Sequence, residues 1–188
     1  MKNSKIIIGL TGPIASGKGT IKKYIEEKYG AKECRFSSIL RDVLTRLNVE
    51  IKRENLQKIS TVLRQAFGED ALAKAIAADV VKLDSDMVVV DGVRRMTDIV
   101  HLKNLSGFVL VKVDADPKIR YERMKVRNEN KSDDKKTFDA FLKDHLSEAD
   151  GQVPEVMKNA TNSIENSGSL KDLYKQVDNL IKKIHRRA

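Results

Sequence analysis

Residues 12–20, Gly-Pro-Ile-Ala-Ser-Gly-Lys-Gly-Thr, follow directly on the apolar run Lys5-Ile6-Ile7-Ile8-Gly9-Leu10. This junction constrains the chain more than any other stretch of it. The apolar run is short, β-branched and stopped by glycine and proline, which predicts a buried strand. A helix is predicted to start near Gly17 and run to Tyr29, with Ile21, Tyr24, Ile25 and Tyr29 on one face and Gly30 as its stop. A glycine-rich turn between a strand and a helix lets several backbone N–H groups converge on one cluster of oxygens. The helix N-terminus behind it adds orphan N–H groups and partial positive charge.

Lys18 adds a full charge to this anion cradle, and the spacing Gly-x4-Gly-Lys is that of a P-loop. Gly12, Ala15, Ser16, Gly17, Lys18, Gly19 and Thr20 therefore read as the binding loop for ATP, with Lys18 aimed at the β- and γ-phosphates. The strict motif has Ser or Thr directly after the lysine. Here Gly19 takes that place and the hydroxyl comes one residue later, so Thr20 reads as a phosphate contact, with Mg²⁺ held largely through water. Asp91 closes the apolar run Met87-Val88-Val89-Val90. A carboxylate there, beside the P-loop, reads as the second magnesium candidate, also acting through water.

The remaining pattern alternates strands and helices. Lys32 to Phe36 reads as a strand. A helix through Leu47 is expected, capped by Ser37 or Ser38, with Ile39, Leu40, Val43, Leu44 and Leu47 as its apolar stripe. Two helices follow, Arg53 to Phe67 (Leu56, Ile59, Leu63 and Phe67 inward) and about Asp70 to Leu83. After the strand at 87–91 come a short helix near Thr97 to Asn104, a strand at Phe108 to Val113, and a helix from Pro117 to about Arg127. Residues 128–136 are polar and read as an exposed loop. Helices at Phe138 to Leu146 and Val153 to Lys158, a strand at Ala160 to Glu165, and an amphipathic helix from Leu170 complete the chain. Right-handed crossovers between such strands give parallel pairing. The expected fold is a three-layer α/β P-loop kinase fold, one domain over residues 1–188, with a five-stranded parallel sheet and ligands at the carboxyl ends of the strands.

Composition narrows the function classes. The chain has 188 residues, 40% hydrophobic and 34% charged, enough for one core without metals or disulfides. No apolar run approaches the roughly 20 residues that span a bilayer, and the N-terminus lacks the pattern of a signal peptide. Cys34 is the only cysteine, so a reducing cytoplasm is the expected setting. A net charge of +9 attracts polyanions. Aromatics are only 5% of the residues and do not interleave with a basic stripe, so nucleic acid is not the favoured partner. His101, His145 and His185 share no metal spacing with Cys34.

Several segments together resemble a known family. Gly17-Lys18-Gly19-Thr20, Ser37-Ser38-Ile39-Leu40-Arg41 and Asp91-Gly92-Val93-Arg94 look like nucleoside monophosphate kinases, adenylate kinase in particular. Arg120-Tyr121-Glu122-Arg123-Met124-Lys125-Val126-Arg127, then Ser132-Asp133-Asp134 and Ile164-Glu165-Asn166-Ser167-Gly168, look like an archaeal group of adenylate-kinase-like or dephospho-CoA-kinase-like proteins. Arg53-Glu54-Asn55-Leu56-Gln57 with Leu63-Arg64 is similar to deoxynucleoside monophosphate kinases. The resemblance implies that Arg41 and Arg94 clamp the phosphate of the acceptor, with Arg64 as a third candidate. It implies an acceptor-binding helical insert over about 37–84 and a short lid over about 123–137. From that lid Arg123 and Arg127 would close over the transferring group. It places Asn166 and Gly168 beside the adenine.

The implied reaction is transfer of the γ-phosphoryl of ATP to a small phosphorylated acceptor, a nucleoside or deoxynucleoside monophosphate. Dephospho-CoA kinases carry Asp-Ala-Asp after the second strand, whereas this chain has Phe36-Ser37-Ser38. That contrast favours the monophosphate. A dephospho-CoA or other hydroxyl acceptor is the enzymatic alternative. An ATPase module acting on an RNA or ribosomal partner is the alternative of another class.

Overall fold

The computed structural model describes residues 5–127, 136–144 and 151–186. In chain order the elements are β1 (Ile6–Thr11), α1 (Lys18–Tyr29), β2 (Lys32–Arg35), α2 (Phe36–Arg46), α3 (Arg53–Phe67), α4 (Ala71–Lys82) and β3 (Met87–Asp91). Two 3-10 turns follow, Met96–Ile99 and Leu102–Asn104. The rest comprises β4 (Phe108–Asp114), α5 (Pro117–Arg127), α6 (Phe138–Asp144), α7 (Val153–Lys158), β5 (Asn162–Glu165) and α8 (Leu170–His185). The sheet runs β2-β3-β1-β4-β5 and every neighbouring pair is parallel. The five-stranded parallel α/β architecture expected from the sequence is the one observed.

β1 sits at the centre, and its pleat sorts the core into two layers. Ile6, Ile8 and Leu10 join Ile21 and Ile25 of α1 and Leu173, Val177, Leu180, Ile181 and Ile184 of α8 on one face. Ile7 joins Val88 and Val90 of β3 with Leu40, Leu72, Ile76 and Val80 on the other. The parallel strands share one carboxyl edge. Register places Arg35 opposite Asp91, Thr11 opposite Lys112, and Asp114 opposite Glu165.

Several local expectations are corrected. Neither Ser37 nor Ser38 caps α2; the helix begins at Phe36 after extended Arg35, and both serines lie inside its first turn. Leu47 follows the last turn of α2 and is 60% exposed. Phe67 is 70% exposed, while Arg64 is buried at 6%. The inward stripe of α3 thus ends on a charged residue, and the chain leaves the helix at Gly68 before Phe67 meets the core. The segment after β3 makes two short 3-10 turns in place of one helix, and β5 starts at Asn162, later than expected. The predicted end of α6 and the loop 128–135 lie outside the described residues.

α1 and α8 are clasped by one carboxylate. Asp178 accepts hydrogen bonds from Tyr24 Oη (2.9 Å), Tyr29 Oη (2.7 Å) and Lys28 Nζ (2.8 Å). Tyr24 stacks on Tyr174 with ring centroids 4.0 Å apart. Burial opposes ionisation of Asp178, but the hydrogen bonds from Lys28, Tyr29 and Tyr24 outweigh it and hold its pKa below the ordinary carboxylate value. Burial and the bond to Asp178 push the Tyr29 phenol up to about 12. Asp178→Asn is expected to lower the unfolding free energy by about 1–2 kcal/mol near neutral pH. A depressed carboxylate stabilises only above its unfolded pKa of about 4, so the difference from wild type should shrink as pH falls below that value. The contribution of Tyr29 is present below pH of about 10 and is lost as pH rises toward its native value. Urea titrations across pH check both limbs.

Candidate functional site

Residues 11–20 link the end of β1 to α1, and their shape is dictated by close packing. Gly12 has φ 145°, and a Cβ there would lie 2.0 Å from the Val113 carbonyl oxygen of β4. Gly17 has φ 102°, and a Cβ there would lie 2.0 Å from Asn166 Nδ2. Ala15 also adopts the left-handed region, at φ 59°. These backbone conformations turn the loop tightly enough to leave the start of α1 open. Gly17 precedes that helix, and among the described residues no side chain caps it and no acid lies in its first turn. The first turn of a helix carries N–H groups without intrahelical acceptors, and here that turn holds Lys18, Gly19 and Thr20.

Lys18 lies folded over the loop. Its Nζ donates to the carbonyls of Gly12 at 2.7 Å and Pro13 at 2.8 Å, and approaches Ser16 Oγ at 3.5 Å. Ser16 is fully buried, whereas Gly19 and Thr20 are exposed. Asn166, 5% exposed, donates from Nδ2 to the Ser16 carbonyl at 2.8 Å. The resemblance places Asn166 beside the adenine. Its observed contact braces the loop itself, and it also lines a cleft of about 170 Å³ with Gly17, Thr20, Arg123, Gly168 and Leu170.

Two arginines from α5 approach this cleft differently. Arg123 lines it, and its Nη1 is buried with no hydrogen-bond partner among the described residues. Arg120, not singled out from the sequence, is 5% exposed. Its Nε donates to the Ala115 carbonyl at 3.0 Å, its Nη1 reaches the Ile14 carbonyl of the loop at 3.4 Å, and its guanidinium lies 5.5 Å from the Phe141 ring centroid. Burial lowers its pKa, although an arginine stays charged at any ordinary pH. The signal that would have found it is the spacing Arg120-x-x-Arg123, which puts both on one side of a helix. Arg127, the last residue of α5, is exposed.

The acceptor-side expectations divide. Arg41 on α2 and Arg94 in the loop after β3 are exposed. Arg64 stands differently, buried and engaged within the protein. Its Nη2 pairs with Asp98 at 2.8 Å and its Nη1 donates to the Glu69 carbonyl. Asp91 stands at the end of β3 with its carboxylate 3.5 Å from Arg35 Nε. Thr20 and Asp91, the magnesium candidates, provide one hydroxyl and one carboxylate. Among the described residues no cluster of three or more His, Cys, Asp or Glu side chains forms a metal cage. A hard cation bound by few protein ligands, with waters and phosphate oxygens completing its shell, fits that donor set.

The AAA_17 family, described as an AAA domain, matches residues 11–138, from the end of β1 to the start of α6. The chain belongs to that family. The UPF0200 protein of Thermococcus gammatolerans is 30% identical over 186 residues, covering 96% of each chain. The UPF0200/UPF0201 protein of Archaeoglobus fulgidus is 29% identical over 182 residues, covering 95% of this chain and 55% of that longer protein. Among solved structures, the fold is similar to shikimate kinase from Bacteroides thetaiotaomicron (TM-score 0.59, 13% identity, 95% and 98% of the two chains covered). It is also similar to a gluconokinase from Sinorhizobium meliloti (TM-score 0.57, 12% identity, 100% and 99% covered). At those identities the likeness shows a P-loop kinase-like fold. Among the described residues no helix is long and apolar enough to cross a membrane.

Asn166 tests whether this AAA_17 loop depends on its brace. Asn166→Ala is expected to weaken binding of a non-hydrolysable ATP analogue by roughly tenfold, the value of one buried hydrogen bond. Calorimetric titration reads this directly; unchanged affinity would mean that the loop holds its shape without the bond from β5.

Proposed function

We propose that the protein is an ATP-dependent kinase that transfers the γ-phosphoryl group to a nucleoside or deoxynucleoside monophosphate. The observation that carries this reading is convergence on one sheet edge. The loop after β1, Asp91 and Arg94 after β3, and Asn166 after β5 all stand at the carboxyl ends of parallel strands. Open α/β sheets bind ligands at that edge.

Each group then has a role set by its chemistry. The loop N–H groups and the start of α1 hold the phosphates of ATP, and Lys18 exchanges its carbonyl partners for phosphate oxygens. The cleft of about 170 Å³ takes the nucleoside, with Leu170, 59% exposed, as an apolar face for the base. Arg123, whose Nη1 is a buried donor with no acceptor among the described residues, neutralises charge developing on the transferring group. Thr20 and Asp91 hold Mg²⁺ largely through water; when bound, the ion supplies charge neutralisation at the phosphate oxygens. Arg94 and Arg41, forked cations on α2 and the loop beyond Asp91, clamp the acceptor's phosphate. The α2–α4 insert is the acceptor side, and Arg127 lies at the base of the lid.

A phosphate acceptor is already anionic at neutral pH and needs alignment more than a base. Supporting it over a hydroxyl acceptor, the start of α2, directly after β2, offers Phe36, Ser37 and Ser38, with no carboxylate. The hydroxyl acceptor remains the second reading, favoured by the likeness to kinases named for shikimate and gluconate. Incubation with ATP, Mg²⁺ and a panel of ribo- and deoxyribonucleoside monophosphates plus dephospho-CoA, shikimate and gluconate separates the two. Diphosphate formation is the expected outcome, lost by roughly a thousandfold in Lys18→Ala. Arg94→Ala should raise the KM for the acceptor by roughly ten- to a hundredfold. Phosphorylation of a hydroxyl acceptor in place of the monophosphates would overturn the acceptor assignment. ATP hydrolysis indifferent to every acceptor would overturn the kinase reading.

A further inference from the structure

We infer that Asp98 is a positioning residue for acceptor binding: a buried carboxylate, held by Arg64 of α3, fixes the backbone that presents Arg94. This rests on the proposed kinase reading and on Arg94 as the acceptor's clamp. Asp98 is 2% exposed and Arg64 6%. One carboxylate oxygen, Oδ2, accepts the backbone N–H of Arg94 at 3.0 Å and of Arg95 at 2.9 Å. The other, Oδ1, accepts from Arg64 Nη2 at 2.8 Å.

The division of labour between the two oxygens is the point. Burying a carboxylate is costly unless it is paired, and Arg64 supplies the partner from the insert. The charge so retained makes stronger bonds to two consecutive peptide N–H groups than a neutral acceptor would. Those bonds set the turn that leads from Asp91 to Arg94, so the direction of the Arg94 side chain follows from Asp98. Arg64 is tied further, through Nη1, to the Glu69 carbonyl and at 3.4 Å to Thr97 Oγ1. His101 Nε2 lies 2.7 Å from Asp70, a second link between the α3–α4 corner and the segment after β3. The insert and the Arg94 loop consequently move as one body. If the insert closes on an acceptor, Arg94 goes with it.

Asp98 also lies inside the 3-10 turn Met96–Ile99 and caps it by accepting the N–H of Arg95, so a purely structural role must be separated from a positioning one. Replacing Asp98 alone strands a buried guanidinium, so the informative variants remove both charges. Arg64→Met/Asp98→Ala removes the cation and the one oxygen that accepts both N–H groups. Arg64→Met/Asp98→Asn keeps an uncharged oxygen for those N–H groups. Thermal unfolding and binding of a non-hydrolysable ATP analogue establish that each is folded with a working P-loop. If the Ala variant does not fold, Arg64→Met/Asp98→Leu, close in shape to the carboxylate but unable to accept a hydrogen bond, takes its place in the same comparison. In the Ala variant the KM for the accepted monophosphate should rise about tenfold or more, since a small misplacement of a clamp is that costly. The KM for ATP should stay within about twofold, and the Asn variant should recover most of the loss. Equal effects on both substrates, or none, would overturn the proposal while leaving the kinase reading standing.

A wild-type protein that phosphorylates no member of the panel would sink the kinase reading, and a second readout then decides the present one. Arg94 is exposed, so its modification by phenylglyoxal can be followed by peptide mass spectrometry with and without inorganic phosphate. Phosphate should shield Arg94 in wild type and in the Asn variant but not in the Ala variant. Equal shielding in all folded forms, or none in wild type, would overturn the positioning role.

Discussion

Of the glycines in the described residues, the two with the least room for a side chain both lie in the loop after β1. Gly12 lies against the Val113 carbonyl of β4, and Gly17 against the Asn166 amide at the end of β5, each so close that a single methyl group would collide. Those contacts exist because β1, β4 and β5 pair in parallel and in register, ending at one edge. The sheet therefore acts as a mould for the loop. In return, the loop's left-handed glycines direct the chain into α1 and leave the start of that helix without a side-chain cap among the described residues. Sheet register, loop shape and anion affinity are one constraint seen at three scales.

Much of this was legible in the sequence because the relevant signals are local. Apolar runs of four to six residues ending at glycine or an acid marked β1, β3 and β4. Three-and-four spacing marked α1 and α8, whose buried residues are those the periodicity points to. The glycine spacing with Lys18 announced an anion loop in the right context. What was not legible depends on tertiary neighbours. The stripe of α3 reads as apolar through Phe67, yet Arg64 takes the inward place because Asp98 waits 34 residues later to neutralise it. Ser37 and Ser38 read as caps by propensity, but β2 runs directly into α2 and leaves no room for a separate cap. Asn166 reads as a ligand-side residue. Only the structure shows its amide spent on the loop's own backbone.

Arg120 and Arg123 show why residue type alone does not assign a role. They lie three apart on α5 and both reach the loop region. Arg120 is engaged by the Ala115 and Ile14 carbonyls beneath the Phe141 ring, so its charge shapes the protein. Arg123 borders the cleft and carries a buried Nη1 with no acceptor among the described residues. A buried donor without an acceptor costs free energy unless a ligand supplies the missing partner. The same helix thus presents one arginine already satisfied and another that gains by meeting an anion.

The distribution of buried polar groups makes the same argument for the whole molecule. Thr11, Ser16, Arg64, Asp98, Arg120 and Asn166 are the buried polar or charged side chains among the described residues. Five of the six belong to segments that begin at the carboxyl ends of β1, β3, β4 or β5, and Arg64 reaches the β3 segment from the insert. The two apolar layers on either face of the sheet carry none of them. Apolar packing alone would hold the layers together, so the polar burial is concentrated at the carboxyl edge of the sheet. Some of it is incompletely satisfied within the protein: Thr11 Oγ1 and Arg64 Nε, like Arg123 Nη1, lack partners among the described residues. Local departures from the rules that stabilise a core gather at functional sites. Here they gather on the edge that the P-loop occupies, with the Arg64–Asp98 pair extending the same arrangement to the segment after β3.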